Sequence, residues 1–271
     1  MKRYAFMISD GTGITVESLG DSLMSQFEQI TFEKQTIPYV DTLDKADLVV
    51  AQIKSCYETT GTKPIAFITL VNPDIRARLH QSEACILDLF STFINPLEQE
   101  LGTKSSYTVG RTHGVANIKS YDQRIEAINF ALNHDDGIKT KGYDEADIIL
   151  VGVSRCGKTP CCLYMALQFG ILAANYPFTD NDLNLSSLPE SLKAYKSKLF
   201  GLTIDPIRLG HIRTERRPGS HYASPEQCRL EINTIEAMYQ EENIPYLNST
   251  RYSIEEIVTK IMAQARLKRK I

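Results

Sequence analysis

Short unbroken apolar runs alternate along this chain with longer stretches in which apolar residues return every third or fourth position. The run at 4–8 predicts a buried strand. The turn Ser9-Asp10-Gly11-Thr12-Gly13 follows, and then a helix carrying Val16, Leu19, Leu23 and Phe27 on one face. Residues 31–40 predict a second strand, 43–60 an amphipathic helix stopped by Gly61, 64–71 a third strand and 73–90 a helix. Residues 102–120 keep no period, after which Tyr121, Ile125, Ile128 and Leu132 mark one more helix. That helix ends at His134-Asp135-Asp136-Gly137, whose glycine suits a left-handed cap.

The polar stretch from Gly137 to Gly142 is the expected linker. It divides the chain into an N-terminal α/β domain over 1–140, expected to serve regulation or target docking, and a second α/β domain over 141–271. Beyond it, strands are expected at 146–151, 171–178, 198–204 and 244–247. A helix with Leu163, Ala166 and Leu167 on one face precedes Gly170, a suitable stop. Another begins at Pro206, with Asp205 placed to cap it. Ser224 and Pro225 open a third, striped by Cys228, Ile232, Ile235 and Tyr239. Ser253-Ile254-Glu255-Glu256 is a capping box, opening a last helix with Ile257, Ile261 and Ala265 turned inward. The alternation of strand and helix makes the fold class α/β. The expected architecture is an N-terminal open, mainly parallel βαβ domain followed by a C-terminal P-loop kinase-like domain.

Composition narrows the partners. A chain of 271 residues with 42% hydrophobic and 23% charged residues suits a soluble protein of one large or two ordinary domains. Its net charge of −3 offers no overall basic field for nucleic acid, and the basic run Arg266-Leu267-Lys268-Arg269-Lys270 reads as a solvated helix end. No apolar stretch approaches the ~20 residues of a membrane span. Ser9-Asp10-Gly11 interrupts the first apolar run too early for a signal peptide, so a cytoplasmic protein is expected. The six cysteines form no C-x-x-C and no zinc-ribbon spacing, which predicts reduced structural thiols.

The chemistry concentrates in Gly152-Val153-Ser154-Arg155-Cys156-Gly157-Lys158-Thr159, which fits G-x-x-x-x-G-K-[ST] at every fixed position. A strand is expected before it and a helix after it, the geometry that points backbone N–H groups and a helix N-terminus at one anion. Lys158 adds a mobile positive charge for the terminal phosphate and Thr159 a hydroxyl for Mg²⁺. Pro160 fits a first helical turn, where its missing N–H costs little. Cys156 is the thiol to watch, because it lies within reach of the positive helix end.

Other residues carry weaker signals. Asp205, just past a buried strand, stands where P-loop proteins place a Mg²⁺-water ligand or a base, and equally where a helix cap belongs. Arg208, Arg213, Arg216 and Arg217 gather with His211 on the following helix, as a phosphate clamp or as a solvated basic face. His113, in Arg111-Thr112-His113-Gly114, fits a general base or an ordinary loop histidine. Asp135 and Asp136 fit a metal or a solvated turn. The turn at 9–13 has no lysine, so a tight connection is expected there before a second anion site.

No H-R-D-x-x-x-x-N, D-F-G or N-K-x-D motif occurs, nor a long acidic run ending Asp-Glu, which excludes bilobal protein kinases, GTPases and motor ATPases. A small kinase is the class left by chemistry. The loop with Pro160, together with Ala173-Ala174-Asn175-Tyr176-Pro177-Phe178 and Lys198-Leu199-Phe200-Gly201-Leu202-Thr203-Ile204-Asp205-Pro206, resembles the phosphoenolpyruvate synthase regulatory proteins of bacteria. Ile8-Ser9-Asp10-Gly11-Thr12, Arg111-Thr112-His113-Gly114, His134-Asp135-Asp136-Gly137 and Asn248-Ser249-Thr250 extend the resemblance over essentially the whole chain.

The resemblance implies a bifunctional enzyme with phosphoenolpyruvate synthase as protein substrate. It would use ADP, not ATP, to phosphorylate a threonine or serine near that enzyme's catalytic histidine, inactivating it. Inorganic phosphate would reverse the modification and release pyrophosphate. The branch acting on pyruvate, phosphate dikinase is less similar, because its loop usually reads Ser-Lys where this chain has Gly157-Lys158. The nucleotide site carries over as Gly152 through Thr159. Lys158, Asp205 and Arg155 are the expected catalytic residues: Lys158 for the transferring group, Asp205 for the hydroxyl proton, and Arg155 for either phosphate. A homodimer is the expected assembly. A nucleotide-sensing module and a small-metabolite P-loop kinase are the rival functions.

Overall fold

The alternation of strand and helix is realised twice in the computed structural model, which describes residues 1–106, 108, 118–135, 137, 140–183 and 187–271. Residues 1–114 and 115–271 form separate units, each with its own four-stranded sheet.

The first unit runs β1 (Lys2–Ser9), α1 (Ile14–Met24), β2 (Thr31–Ile37), α2 (Leu43–Thr60), β3 (Ile65–Thr69), α3 (Pro73–His80), β4 (Cys85–Asp88) and α4 (Leu89–Leu101). Its strands are all parallel in the order β2-β1-β3-β4. Period-two alternation within β1 sorts its side chains between two layers. Phe6 and Ile8 pack with Val49 and Ile53 of α2 and Ile75 and Leu79 of α3, whereas Ala5 and Met7 pack with Val16 and Met24 of α1 and Leu89 of α4. Helices therefore cover both faces, as an all-parallel sheet requires.

Two sequence expectations change in this unit. The helix expected over 73–90 stops at His80, because Cys85–Asp88 pair with Ile65–Ile68 as an edge strand before α4 begins. A four-residue edge strand with half-exposed side chains leaves no clear period to detect. On α1 the buried residues are Val16, Gly20 and Met24, and Leu23 and Phe27 are exposed. The helix sits so close to β1 that a Cβ on Gly20 would lie 3.0 Å from the Met7 sulfur.

The second unit runs α5 (Ile118–Asn133), β5 (Ile148–Gly152), α6 (Lys158–Phe169), β6 (Ala173–Pro177), the single turns α7 (Asp180–Leu183) and α8 (Glu190–Lys193), β7 (Leu199–Thr203), α9 (Pro206–Arg216), α10 (Pro225–Glu241), β8 (Tyr246–Asn248) and α11 (Ile254–Gln264). The strand order is β6-β5-β7-β8, again all parallel. Every residue of β5 is buried, consistent with a central strand covered on both faces. The chain leaves β5 toward β6 on one side and returns to β7 on the other. The crevice outside the carboxyl ends of β5 and β7 is thus the topological switch point, where ligands of open α/β sheets bind.

Helix α5 packs on α6 and β6. The contact-based division at 114 therefore differs from the composition-based boundary at 140 by this helix and its connection. Caps read from sequence hold: Ser224 Oγ accepts from Gln227 N, Ser253 and Glu256 form the capping box, and Gly170 ends α6 at φ +64°. Among the described residues no helix is long and apolar enough to cross a membrane.

At the carboxyl end of β1, buried Asp10 accepts a hydrogen bond from Val71 N at 2.6 Å, tying the first turn to the end of β3. Burial pushes the Asp10 carboxyl above the usual range, against the opposing pull of the Val71 N–H. The folded state then holds a proton that the unfolded chain releases, so this contribution is complete below about pH 3.9 and is lost as pH rises through the folded value. Asp10→Asn keeps an oxygen for Val71 and removes the buried charge. It is expected to raise the thermal midpoint above wild type at pH 7 and to match it at pH 3, measured by calorimetry; a lower midpoint at pH 7 would make the carboxylate a net stabiliser.

Candidate phosphate-binding site

The loop after β5 bends back under its own first residue. Gly152 has φ +156°, and a Cβ there would stand 2.5 Å from Leu202 O and 2.9 Å from the Cys156 sulfur. Arg155 takes φ +77°, a region that a branched or long side chain rarely enters, and is exposed. Gly157 caps α6 in the left-handed region with no side-chain hydrogen bond, so the first N–H groups of the helix carry no side-chain cap. An open helix N-terminus of this kind attracts anions.

Lys158 is 5% exposed. Its Nζ donates to Val153 O at 2.8 Å and lies 3.8 Å from the Cys156 sulfur. Among the described residues it forms no ion pair. A buried ammonium with a carbonyl in place of a counter-ion is costly, and an anion in the loop would offset that cost.

A cleft of about 500 Å³ opens over the loop, lined by Asp135, Ser154, Arg155, Lys158, Thr159 and Arg216 among others. Thr159 Oγ1 donates to Asp135 Oδ1 at 2.8 Å. Asn175 Nδ2 donates to the same carboxylate oxygen and to Thr159 Oγ1, the latter at 3.2 Å. On the opposite side Tyr222 OH donates to Ser154 Oγ at 2.9 Å. Ser249 Oγ shares its proton between Cys156 O at 3.0 Å and Thr203 O at 3.1 Å.

Asp205 stands at the carboxyl end of β7, the strand beside β5. Its Oδ1 accepts from Arg208 N at 2.9 Å, capping α9, and its own N–H donates to Thr250 Oγ1 at 2.7 Å. The arginines that sequence groups together separate in space. Arg216 lines the cleft, and Arg208 and Arg217 are exposed. Arg213 is 0% exposed. It donates to both carboxylate oxygens of Glu231 at 2.9 and 2.6 Å, to Ser154 O at 3.2 Å and to Tyr222 O at 2.9 Å, with its guanidinium 4.0 Å from the Tyr222 ring centre. Burial works against its charge, but the hydrogen bonds and charge of Glu231 outweigh it and push the guanidinium up. Arg213 is therefore a brace behind the loop, not a clamp in front of it.

The thiols nearest the loop are closed in. Cys156 is buried beneath the loop, and burial pushes Cys161 up to about 12 and Cys162 well above its ordinary value. The segment Arg111-Thr112-His113-Gly114 and Asp136 lie outside the described residues. Asn175, Tyr222 and Ser249 are the site residues that chemical reasoning on the sequence did not place, although Asn175-Tyr176-Pro177 and Asn248-Ser249-Thr250 were motifs already marked. Asp135, which the sequence left between a metal ligand and a solvated turn, stands at the cleft.

Breaking a buried pair strands its partner, so Glu231→Gln is expected to destabilise the protein by about 3–5 kcal/mol. Arg216→Ala, at the cleft mouth, should change stability by no more than about 0.5 kcal/mol. Urea unfolding followed by circular dichroism checks both, and equal losses would contradict the division between brace and cleft.

The family model described as kinase/pyrophosphorylase matches residues 5–262. A protein of Legionella pneumophila (strain Corby), provisionally named phosphoenolpyruvate synthase regulatory protein, is 69% identical over 271 residues, covering the full length of both chains. Proteins with the same provisional name from Hahella chejuensis and Pseudomonas aeruginosa (strain LESB58) are each 57% identical, over 271 and 270 residues, covering this chain fully and 100% and 98% of their own.

Proposed function

The chain belongs to the kinase/pyrophosphorylase family, and from that premise we propose that it is a bifunctional phosphotransferase regulating phosphoenolpyruvate synthase in the cytoplasm. In one direction the hydroxyl oxygen of a threonine or serine on the synthase bonds to the β-phosphorus of ADP. The bond from that phosphorus to the bridging oxygen breaks, AMP leaves, and the hydroxyl proton passes to a base. In the other direction inorganic phosphate attacks the phosphothreonine phosphorus, the threonine oxygen leaves and takes a proton, and pyrophosphate departs. The choice of ADP and of the synthase follows from the resemblance, with Gly157 before Lys158 favouring the synthase over the dikinase.

The observation that carries this proposal is the buried Lys158 ammonium beneath an uncapped helix N-terminus, facing a cleft at the switch point. Both directions need a place for one phosphate next to the phosphoryl group in transfer. The loop N–H groups hold that phosphate, whether it belongs to ADP or is free. Lys158 and Arg155 offset the charge that spreads over the transferring oxygens. Asp205, at the carboxyl end of the neighbouring strand, orients the target hydroxyl and takes its proton.

A Mg²⁺ ion fits the donor set, since the Thr159 hydroxyl lines the cleft and Mg²⁺ takes hard oxygens from one or two side chains plus phosphate. When bound it would neutralise charge on the phosphates.

Incubation with phosphoenolpyruvate synthase and ADP labelled in the β-phosphate should produce labelled phosphothreonine or phosphoserine, and addition of inorganic phosphate should return the label as pyrophosphate. Turnover of ATP with small acceptors and no protein substrate would instead support a metabolite kinase. Lys158→Ala is expected to lower both directions together by about 10²–10³-fold. Loss of one direction alone would show that the two reactions do not share the loop.

A further inference from the structure

We infer that Asp135, which lies outside the phosphate-loop motif, is the carboxylate that couples a divalent cation to Thr159; the inference rests on the phosphate-site assignment above. Three observations lead to it. The first is how the residues beside Asp135 are held. Asn175 N donates to His134 O at 3.1 Å and Gly137 N donates to Asn175 O at 3.2 Å, so His134 and Gly137 are both tied to Asn175 of β6. Gly137 sits at φ +65° with the Tyr176 ring 3.2 Å from where a Cβ would be. His134 stacks on Phe130 with ring centres 4.1 Å apart. A residue that the sequence leaves between a metal ligand and a solvated turn is thereby placed at the cleft.

The second observation is the accounting at one hydroxyl. Thr159 Oγ1 has one proton and two lone pairs. Its proton goes to Asp135 and one lone pair accepts from Asn175, which leaves one lone pair in the cleft. Asp135 and Asn175 together fix the rotation of the hydroxyl so that this lone pair is presented, not the proton.

The third is charge. Asp135 lines a cleft whose other charged members are Arg155, Lys158 and Arg216, and it forms no ion pair among the described residues. A carboxylate next to a bound phosphate raises the energy of that complex unless a cation stands between them. The described residues assemble no group of three or more histidine, cysteine or acidic side chains around one point. Mg²⁺ binds through one or two carboxylates with phosphate oxygens and water, so the cation proposed here needs no such group. Metal and nucleotide should then bind as one unit.

Titration calorimetry on the full chain tests this. Mg²⁺ alone is expected to give no saturable binding at millimolar concentration, and to tighten ADP binding when both are present. Asp135→Asn keeps an oxygen for Thr159 and removes the charge. It should bind metal-free ADP at least as well as wild type while losing about 10–100-fold of the Mg²⁺ enhancement. Asp135→Glu, which retains the charge, should keep part of that enhancement, and Mn²⁺ relaxation of water protons should report the ion in the wild-type ADP complex and its loss in Asp135→Asn. An undiminished Mg²⁺ enhancement in Asp135→Asn overturns the role of Asp135 alone. A wild-type chain that binds neither ADP nor inorganic phosphate overturns the phosphate site, and the inference with it.

Discussion

A buried positive charge needs a counter-charge close by, and among the described residues Lys158 is met by only a carbonyl and a thiol. The loop can carry that cost because everything around it is tightly fastened. Gly152 passes within a Cβ's width of Leu202, Ser249 ties Cys156 to the end of β7, and Tyr239 OH donates to Val151 O at 3.0 Å just before the loop begins. The parallel sheet contributes the location. Because β5 lies between β6 and β7, the loop opens into the crevice where strand order reverses, with side chains from neighbouring connections converging on it.

Much of this was readable in advance. The loop motif, the α/β class, most strands and the caps at Ser224 and Ser253 follow from local chemistry, and local chemistry is what a sequence displays. What escaped was decided by tertiary contact. The strand at 85–88 exists because β3 has an edge to pair with, not because Cys85-Ile86-Leu87-Asp88 prefers extension. The buried stripe of α1 runs through Val16, Gly20 and Met24, so Leu23 falls beside it and Phe27 lies beyond the helix. Arg213 looks like its arginine neighbours on the chain, and its burial depends on Glu231, eighteen residues on in the next helix.

The two units repeat one topology, with the first strand flanked by the second and third in both sheets. They differ at the equivalent turn. Both turns lead into a helix that opens at a left-handed glycine with no side-chain cap, and in the second unit the turn also carries Lys158. In the first it carries Asp10, whose carboxylate is already engaged by Val71. The same topology therefore places a buried ammonium at one turn and a buried, hydrogen-bonded carboxyl at the other.

The brace behind the loop has a consequence for the size of ligand the site can serve. Arg213 joins the loop, through Ser154 O, to α10, through Glu231, and Tyr222 adds a hydroxyl contact to Ser154. These bonds exist before any ligand arrives, so little conformational entropy is lost when one binds. Large ligands can offset the ordering of a floppy loop with many contacts, but a ligand of very few atoms cannot. A loop ordered in advance is thus what would let a molecule as small as inorganic phosphate occupy the same seat as a nucleotide.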